Sequence, residues 1–185
     1  VNVEHEEIPM LPRTMDVGKV TFKYGLGTEF IEVLKTLHNL GLDATKPVRV
    51  RSASGPVDVA PRDMVVAVLP DPASIGPRMT GKACAGVLIT GKDKTGKDRA
   101  TYIYHVADNA ETMAEYDAQC VVMQTAFNPV IALELIAEGK WSGVGVRAPE
   151  EFAPKPFLEL MSASTGYHQR WFAQERLPAN PLALP

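Results

Sequence analysis

Alternation and helical spacing divide the chain into strands and helices. From Val17 to Tyr24, Val20, Phe22 and Tyr24 fall on one side and Lys19, Thr21 and Lys23 on the other, the period-two pattern of a half-buried strand. Phe30, Val33, Leu34, Leu37 and Leu40 then recur at helical spacing, with Thr28 able to cap, acidic residues in the first turn and Gly41 where the helix should stop. Short β runs, Val48–Arg51 and Val57–Val59, flank a Ser/Gly/Pro turn. Pro61 opens a helix with Met64, Val65, Val68 and Leu69 as its apolar side, ended by Pro70 and Pro72. Lys82–Thr90 and Arg99–Ala107 are β-rich runs separated by a polar stretch containing Gly96, which predicts a long hairpin. Asn109–Tyr116 reads as a short helix and Gln119–Thr125 as a buried β run. A second strong helix is expected from Asn128 and Pro129, with Asn128 as cap and Val130, Leu133, Ile136 and Ala137 as its packing face. One turn at Pro149–Phe152 and a last helix at Pro156–Ala163 complete the pattern. Residues 1–16 carry Pro9 and Pro12 without a sustained period and read as an extended lead-in, leaving a domain over 17–165 and a tail over 166–185. The expected architecture is α+β, an antiparallel or mixed sheet with helices on one face.

Composition narrows the function classes. The 185 residues are 45% hydrophobic and 22% charged, the balance of a globular domain. A net charge of -3 leaves no concentrated positive face for nucleic acid or anionic lipid, so no nucleic acid and no membrane is expected as a partner. No apolar run approaches the roughly 18 residues of a membrane span, and the start lacks the features of a signal peptide. The two cysteines, Cys84 and Cys120, lie in apolar stretches, read as small buried hydrophobes and fit a reducing cytoplasm. A chain opening at Val1 without an initiator Met is expected to be a processed or trimmed piece of something longer.

Three places could carry chemistry. Tyr24, Gly25 and Gly27 sit between a strand and a helix, where a dinucleotide fingerprint would lie, but Phe30 replaces its third glycine and no second βαβ unit follows, so no Rossmann unit is expected. Lys23 beside the helix N-terminus could instead hold a carboxylate, or could be a solvated strand residue. His105, Asp108 and Asn109 collect at a strand-to-helix boundary. His105 could move protons near neutral pH, and Asp108 or Asn109 could either cap the helix or touch a substrate. No cysteine, serine or second histidine stands at triad or zinc spacing from His105. Gln119, Gln124, Thr125 and Asn128 flank an apolar run; such polar groups pair either with backbone or with a ligand.

The succession Phe22-Lys-Tyr-Gly-Leu-Gly-Thr-Glu-Phe-Ile31, Leu37-His-Asn-Leu-Gly-Leu42, Val59-Ala-Pro-Arg-Asp63, Leu69-Pro-Asp-Pro72, Gly81-Lys-Ala-Cys84, Tyr104-His105 and Gln124-Thr-Ala-Phe-Asn-Pro129 resembles the C-terminal half of the saccharopine dehydrogenase-like oxidoreductases. The resemblance runs from about Val17 to Leu160. It implies the substrate-binding and dimerisation domain of an NAD(P)-dependent enzyme acting on saccharopine, lysine or a carboxylated polyamine. NAD(P) would be held by a separate N-terminal Rossmann domain, so this chain alone is expected to bind no cofactor and no metal, to be catalytically incomplete and to form a homodimer. The family's substrate-binding arginine corresponds to Lys23, which can supply charge but no planar bidentate grip and so favours a lysine- or polyamine-type, amino-acid-like substrate. The implied substrate contacts are Lys23, Tyr24, Gly25, Gly27, His105, Gln124, Thr125 and Asn128. The alternative is a non-enzymatic self-association or small-anion-binding module.

Overall fold

The computed structural model describes residues 1–163 and 169–176; the expected tail lies outside the described residues except for this last segment. Two compact units emerge, Val1–Pro72 and Ala73–Pro185. In the first, β1 (Asn2–Val3) is followed by α1 (Glu7–Thr14), where an extended lead-in was expected. Prolines misdirect that reading: Pro9 falls in the first turn, where the amide has no intrahelical partner, and Glu7 and Arg13 sit at the helix ends that favour their charges. The alternating run Val17–Tyr24 shrinks to β2 (Phe22–Lys23), which pairs antiparallel with β1. Alternation makes a strand only where a ladder partner is within reach.

α2 (Thr28–Asn39) forms where its period places it, with Gly27 rather than Thr28 as cap residue and Gly41 at φ +69° in the left-handed conformation that ends it. Its expected packing residues Phe30, Val33, Leu34 and Leu40 are nonetheless exposed. β3 (Val48–Val50) and β4 (Val57–Val59) make the expected short hairpin, and α3 (Pro61–Val68) starts on Pro61.

A single turn, α4 (Pro72–Ile75), precedes the long hairpin of β5 (Lys82–Lys92) and β6 (Asp98–Asp108), in register from Lys82↔Asp108 to Lys92↔Asp98. At its tip Asp93 Oδ1 accepts from the backbone N–H groups of Thr95 and Lys97, and Gly96 takes φ +83°. Gly86 faces Tyr104 across the ladder; a Cβ there would come within 2.6 Å of Tyr104 Cβ, so only glycine fits. Cys84, expected to be buried, is exposed with its Sγ 3.5 Å from the Tyr102 hydroxyl, whereas Cys120 is buried.

α5 (Asn109–Tyr116) forms where expected. Next comes the largest correction: the β run at 119–125 and the helix from Asn128 are one continuous α6 (Cys120–Ala137). A short apolar run does not distinguish a buried strand from a buried helix, and the helix carries Pro129 in its interior. Asn128 is therefore not a cap; its Nδ2 donates to Gln124 O one turn back. The packing face also rotates. Cys120, Met123, Ile131 and Leu135 are buried, while Val130, Leu133 and Ile136 are exposed. Joined into 18 residues of mean hydropathy 1.6, α6 is long and apolar enough to cross a membrane by length and composition only, with Gln124, Thr125, Asn128 and Glu134 interrupting its apolar run.

α7 (Pro154–Ser162) and β7 (Trp171–Arg176) complete the second unit. β7 pairs antiparallel with β6 within the segment read as tail, giving the order β5-β6-β7. Every ladder among the described residues is antiparallel, and the fold is α+β. The core of this unit is Ile131, Leu135, Trp141 and Met161, joining α6 to α7.

Candidate functional site

Side chains alternate across the sheet, so Ala83, Ala85 and Val87 of β5 share a face with Ile103 and His105 of β6 and Trp171 of β7. That face meets Gln124, Phe127 and Asn128 of α6 and Phe157, Leu158 and Met161 of α7 around a cavity of about 320 Å³. His105 is buried at 8% exposure. Its Nδ1 lies 3.2 Å from Gln124 Nε2, and the same Nε2 donates to the Ala83 carbonyl at 3.2 Å.

These two contacts assign the protons. An amide nitrogen carries two hydrogens and accepts nothing, so one goes to Ala83 O and the other to His105 Nδ1. Nδ1 is therefore the acceptor of the ring, and the imidazole proton resides on Nε2. Nε2 is buried and has no hydrogen-bond partner among the described residues. Burial holds the His105 pKa below its ordinary 6.5; the Gln169 side chain pulls the other way more weakly, without a well-aligned bond to Nε2. The cavity thus contains a neutral donor.

Its titration has a definite sign. Between pH 6.5 and the lower folded-state value, the unfolded chain binds a proton that the folded chain rejects. Stability is therefore complete above pH 6.5 and falls as the pH drops through that window. Urea unfolding of the second unit followed from pH 7 to pH 5 should show a decline that His105→Gln flattens; an unchanged slope in the variant would exclude His105 as its source.

The other expected contacts are distributed differently. Thr125 is exposed and donates its hydroxyl to Val121 O, a bond within its own helix. Asp108 caps α5 by accepting from Ala110 N–H and pairs with Lys82. Asn109 is 2% exposed: its Nδ2 donates to Gly76 O and Met79 O, and its Oδ1 accepts from Cys120 N, the first residue of α6. Both serve the backbone that frames the site.

Lys23, Tyr24, Gly25 and Gly27 belong to the first unit and are all exposed. Lys23 stands opposite Asn2 in the β1–β2 pair and enters no ion pair among the described residues. A dinucleotide does not fit this turn: β2 pairs antiparallel, and Phe30 occupies the position of the third glycine. Phe157, Leu158, Met161, Gln169 and Trp171 line the cavity but carried no signal in the sequence. They reach His105 only through pairings distant along the chain.

Comparison with known proteins gives one consistent result. The family described as saccharopine dehydrogenase C-terminal domain matches residues 1–167, including the segment before Val17. A carboxynorspermidine synthase of Vibrio alginolyticus is 30% identical over 98% of this chain and 42% of its own length. The carboxynorspermidine synthase of Vibrio cholerae is 29% identical over 97% of this chain and 42% of its own. A carboxyaminopropylagmatine dehydrogenase of Synechocystis is 29% identical over 83% of this chain and 38% of its own. The chain spans about two fifths of the length of these curated relatives.

Proposed function

This chain belongs to the saccharopine dehydrogenase C-terminal domain family, and on that premise we propose that it is the substrate-recognition part of an NAD(P)-dependent oxidoreductase acting on a carboxylated polyamine. The observation that carries the reading is similarity along nearly the whole chain to carboxynorspermidine synthase, with carboxyaminopropylagmatine dehydrogenase as a second relative of related substrate chemistry. Both names describe an amine chain bearing a carboxyl group. The proposed holder of NAD(P) is a part of the full-length enzyme other than the Gly25–Gly27 turn, which follows an antiparallel strand and has Phe30 in place of the third glycine. A cytoplasmic location accords with two free cysteines.

Lys23 is the proposed carboxylate contact, an exposed ammonium preceding the N-terminus of α2. In the full-length enzyme, Lys23→Ala should raise the KM for the carboxylated amine by about one to two orders of magnitude, the loss of about 1.5–3 kcal/mol from a charge-assisted hydrogen bond, and leave cofactor affinity unchanged. Lys23→Arg should be milder. Unchanged kinetics with a lower Tm would make Lys23 a structural residue of β2.

The same part is proposed to dimerise. β5 has no strand on its outer edge among the described residues, and Val87 and Ile89 are 59% and 53% exposed. Twofold dimers are the commonest soluble homo-oligomers, and an open edge carrying exposed apolar side chains suits one. Light scattering at micromolar concentration should report a dimer; a monomer throughout would remove this role and leave the substrate reading intact.

A further inference from the structure

The cavity around His105 has a chemistry of its own. Its lining among the described residues contains no Asp, Glu, Lys or Arg. An ammonium or carboxylate entering it would lose hydration without meeting an opposite charge, a cost that excludes the charged ends of a polyamine. What the cavity does offer is apolar surface from Phe127, Phe157, Met161 and Trp171, uncharged polar groups at Gln124, Asn128 and Gln169, and the His105 Nε2–H as an oriented donor. Its volume, about 320 Å³, is ample for a small ligand group.

The donor is built rather than incidental. Gln124 reaches from α6 to hold Nδ1 as an acceptor, which leaves the proton on Nε2, and that atom is shielded from solvent with no hydrogen-bond partner among the described residues, the Gln169 side chain acting on the ring only weakly. An orphaned donor on a side chain more than nine-tenths buried is costly unless an acceptor meets it. We propose that this cavity is a binding site for an uncharged, largely apolar group carrying one acceptor oxygen, a carbonyl or carboxamide, read by the His105 Nε2–H. Gln124 is its positioning residue, fixing the ring's tautomer without touching the ligand's oxygen. The proposal is separable from the carboxylated-amine reading, which rests on similarity along the chain and takes Lys23 of the first unit as its carboxylate contact.

Two measurements on the 185-residue chain test this. Long-range proton–nitrogen NMR of the imidazoles, with His105 assigned by its loss in His105→Gln, should find the Nε2–H tautomer at pH 7.5. Titration with hexanamide, hexanoate and hexylammonium should shift the His105 and Trp171 ring signals, with hexanamide binding about tenfold more tightly than either ion. In Gln124→Ala the ring should populate both tautomers, and hexanamide affinity should fall several-fold. The proposal is overturned by an Nδ1–H tautomer in the unmodified chain, by either ion binding as tightly as the amide, or by none of the three probes shifting His105. The tautomer is read without mutating Gln124, so a misfolded variant does not protect the idea.

Discussion

Asn109→Leu should lower the stability of the second unit by about 3–5 kcal/mol, because three backbone groups, two of the bonds buried and one half-buried, lose Asn109 at once. The side chain donates to Gly76 O at 3.1 Å and Met79 O at 3.0 Å and accepts from Cys120 N at 3.1 Å. Leucine keeps asparagine's branched outline but carries bulkier methyl groups, so lost hydrogen bonding and some overpacking add at this buried position. Cys120 opens α6, and its N–H has no intrahelical acceptor, so Asn109 substitutes for the missing end of that helix. Asn109→Asp should be nearly as harmful: a carboxylate can still accept from Cys120 N, but it presents negative charge to two carbonyl oxygens. Both tryptophans of the chain, Trp141 and Trp171, lie in this unit, so their fluorescence during urea unfolding reports it directly. A loss below about 1 kcal/mol would mean that water replaces the asparagine at little cost.

Trp141→Ala should cost about 3–5 kcal/mol, the range for emptying a large aromatic site. The indole is 6% exposed, stacks on Phe152 and Phe157 at centroid distances of 4.8 and 5.7 Å, and donates its N–H to Ala153 O at 3.0 Å. It connects Ile131 and Leu135 of α6 with Met161 of α7. Since α7 supplies Phe157, Leu158 and Met161 to the His105 cavity, the same change should weaken any ligand held there. Trp141→Phe should recover part of the stacking and none of the hydrogen bond. Thermal unfolding followed by far-ultraviolet circular dichroism, with Trp171 fluorescence as a second probe, separates the three proteins; an alanine variant within about 0.5 kcal/mol of the parent would contradict this account of the core.

Local signals were legible wherever one interaction range dominated. Gly41, Gly96 and Pro61 mark ends and turns because their backbone preferences act within a few residues, and each occupies the expected role. The β5–β6 hairpin was readable for a similar reason: its partners are joined by a short polar turn. The α6 region was not. Its apolar density suits a strand or a helix, and Pro129 resembled a beginning because prolines favour first turns. The candidate site divides along the same line. His105, Gln124 and Asn128 could be singled out as polar residues beside apolar runs, whereas Thr125 shared that description and bonds only to its own helix.

The sequence by itself determined the α+β class, the hairpin, most helix positions and, through an ordered set of short motifs, the family. Those properties follow from periodicity and backbone preference, which are written locally. Tertiary structure alone decided which helix faces are covered, since amphipathicity demands burial without naming a partner: the apolar side of α2 stays exposed, and that of α6 turns toward Ile131 and Leu135. It alone decided the state of His105 as well. The proton position depends on Gln124, 19 residues away, and on the Ala83 carbonyl, 41 residues from Gln124, groups that meet only when α6 packs on the sheet.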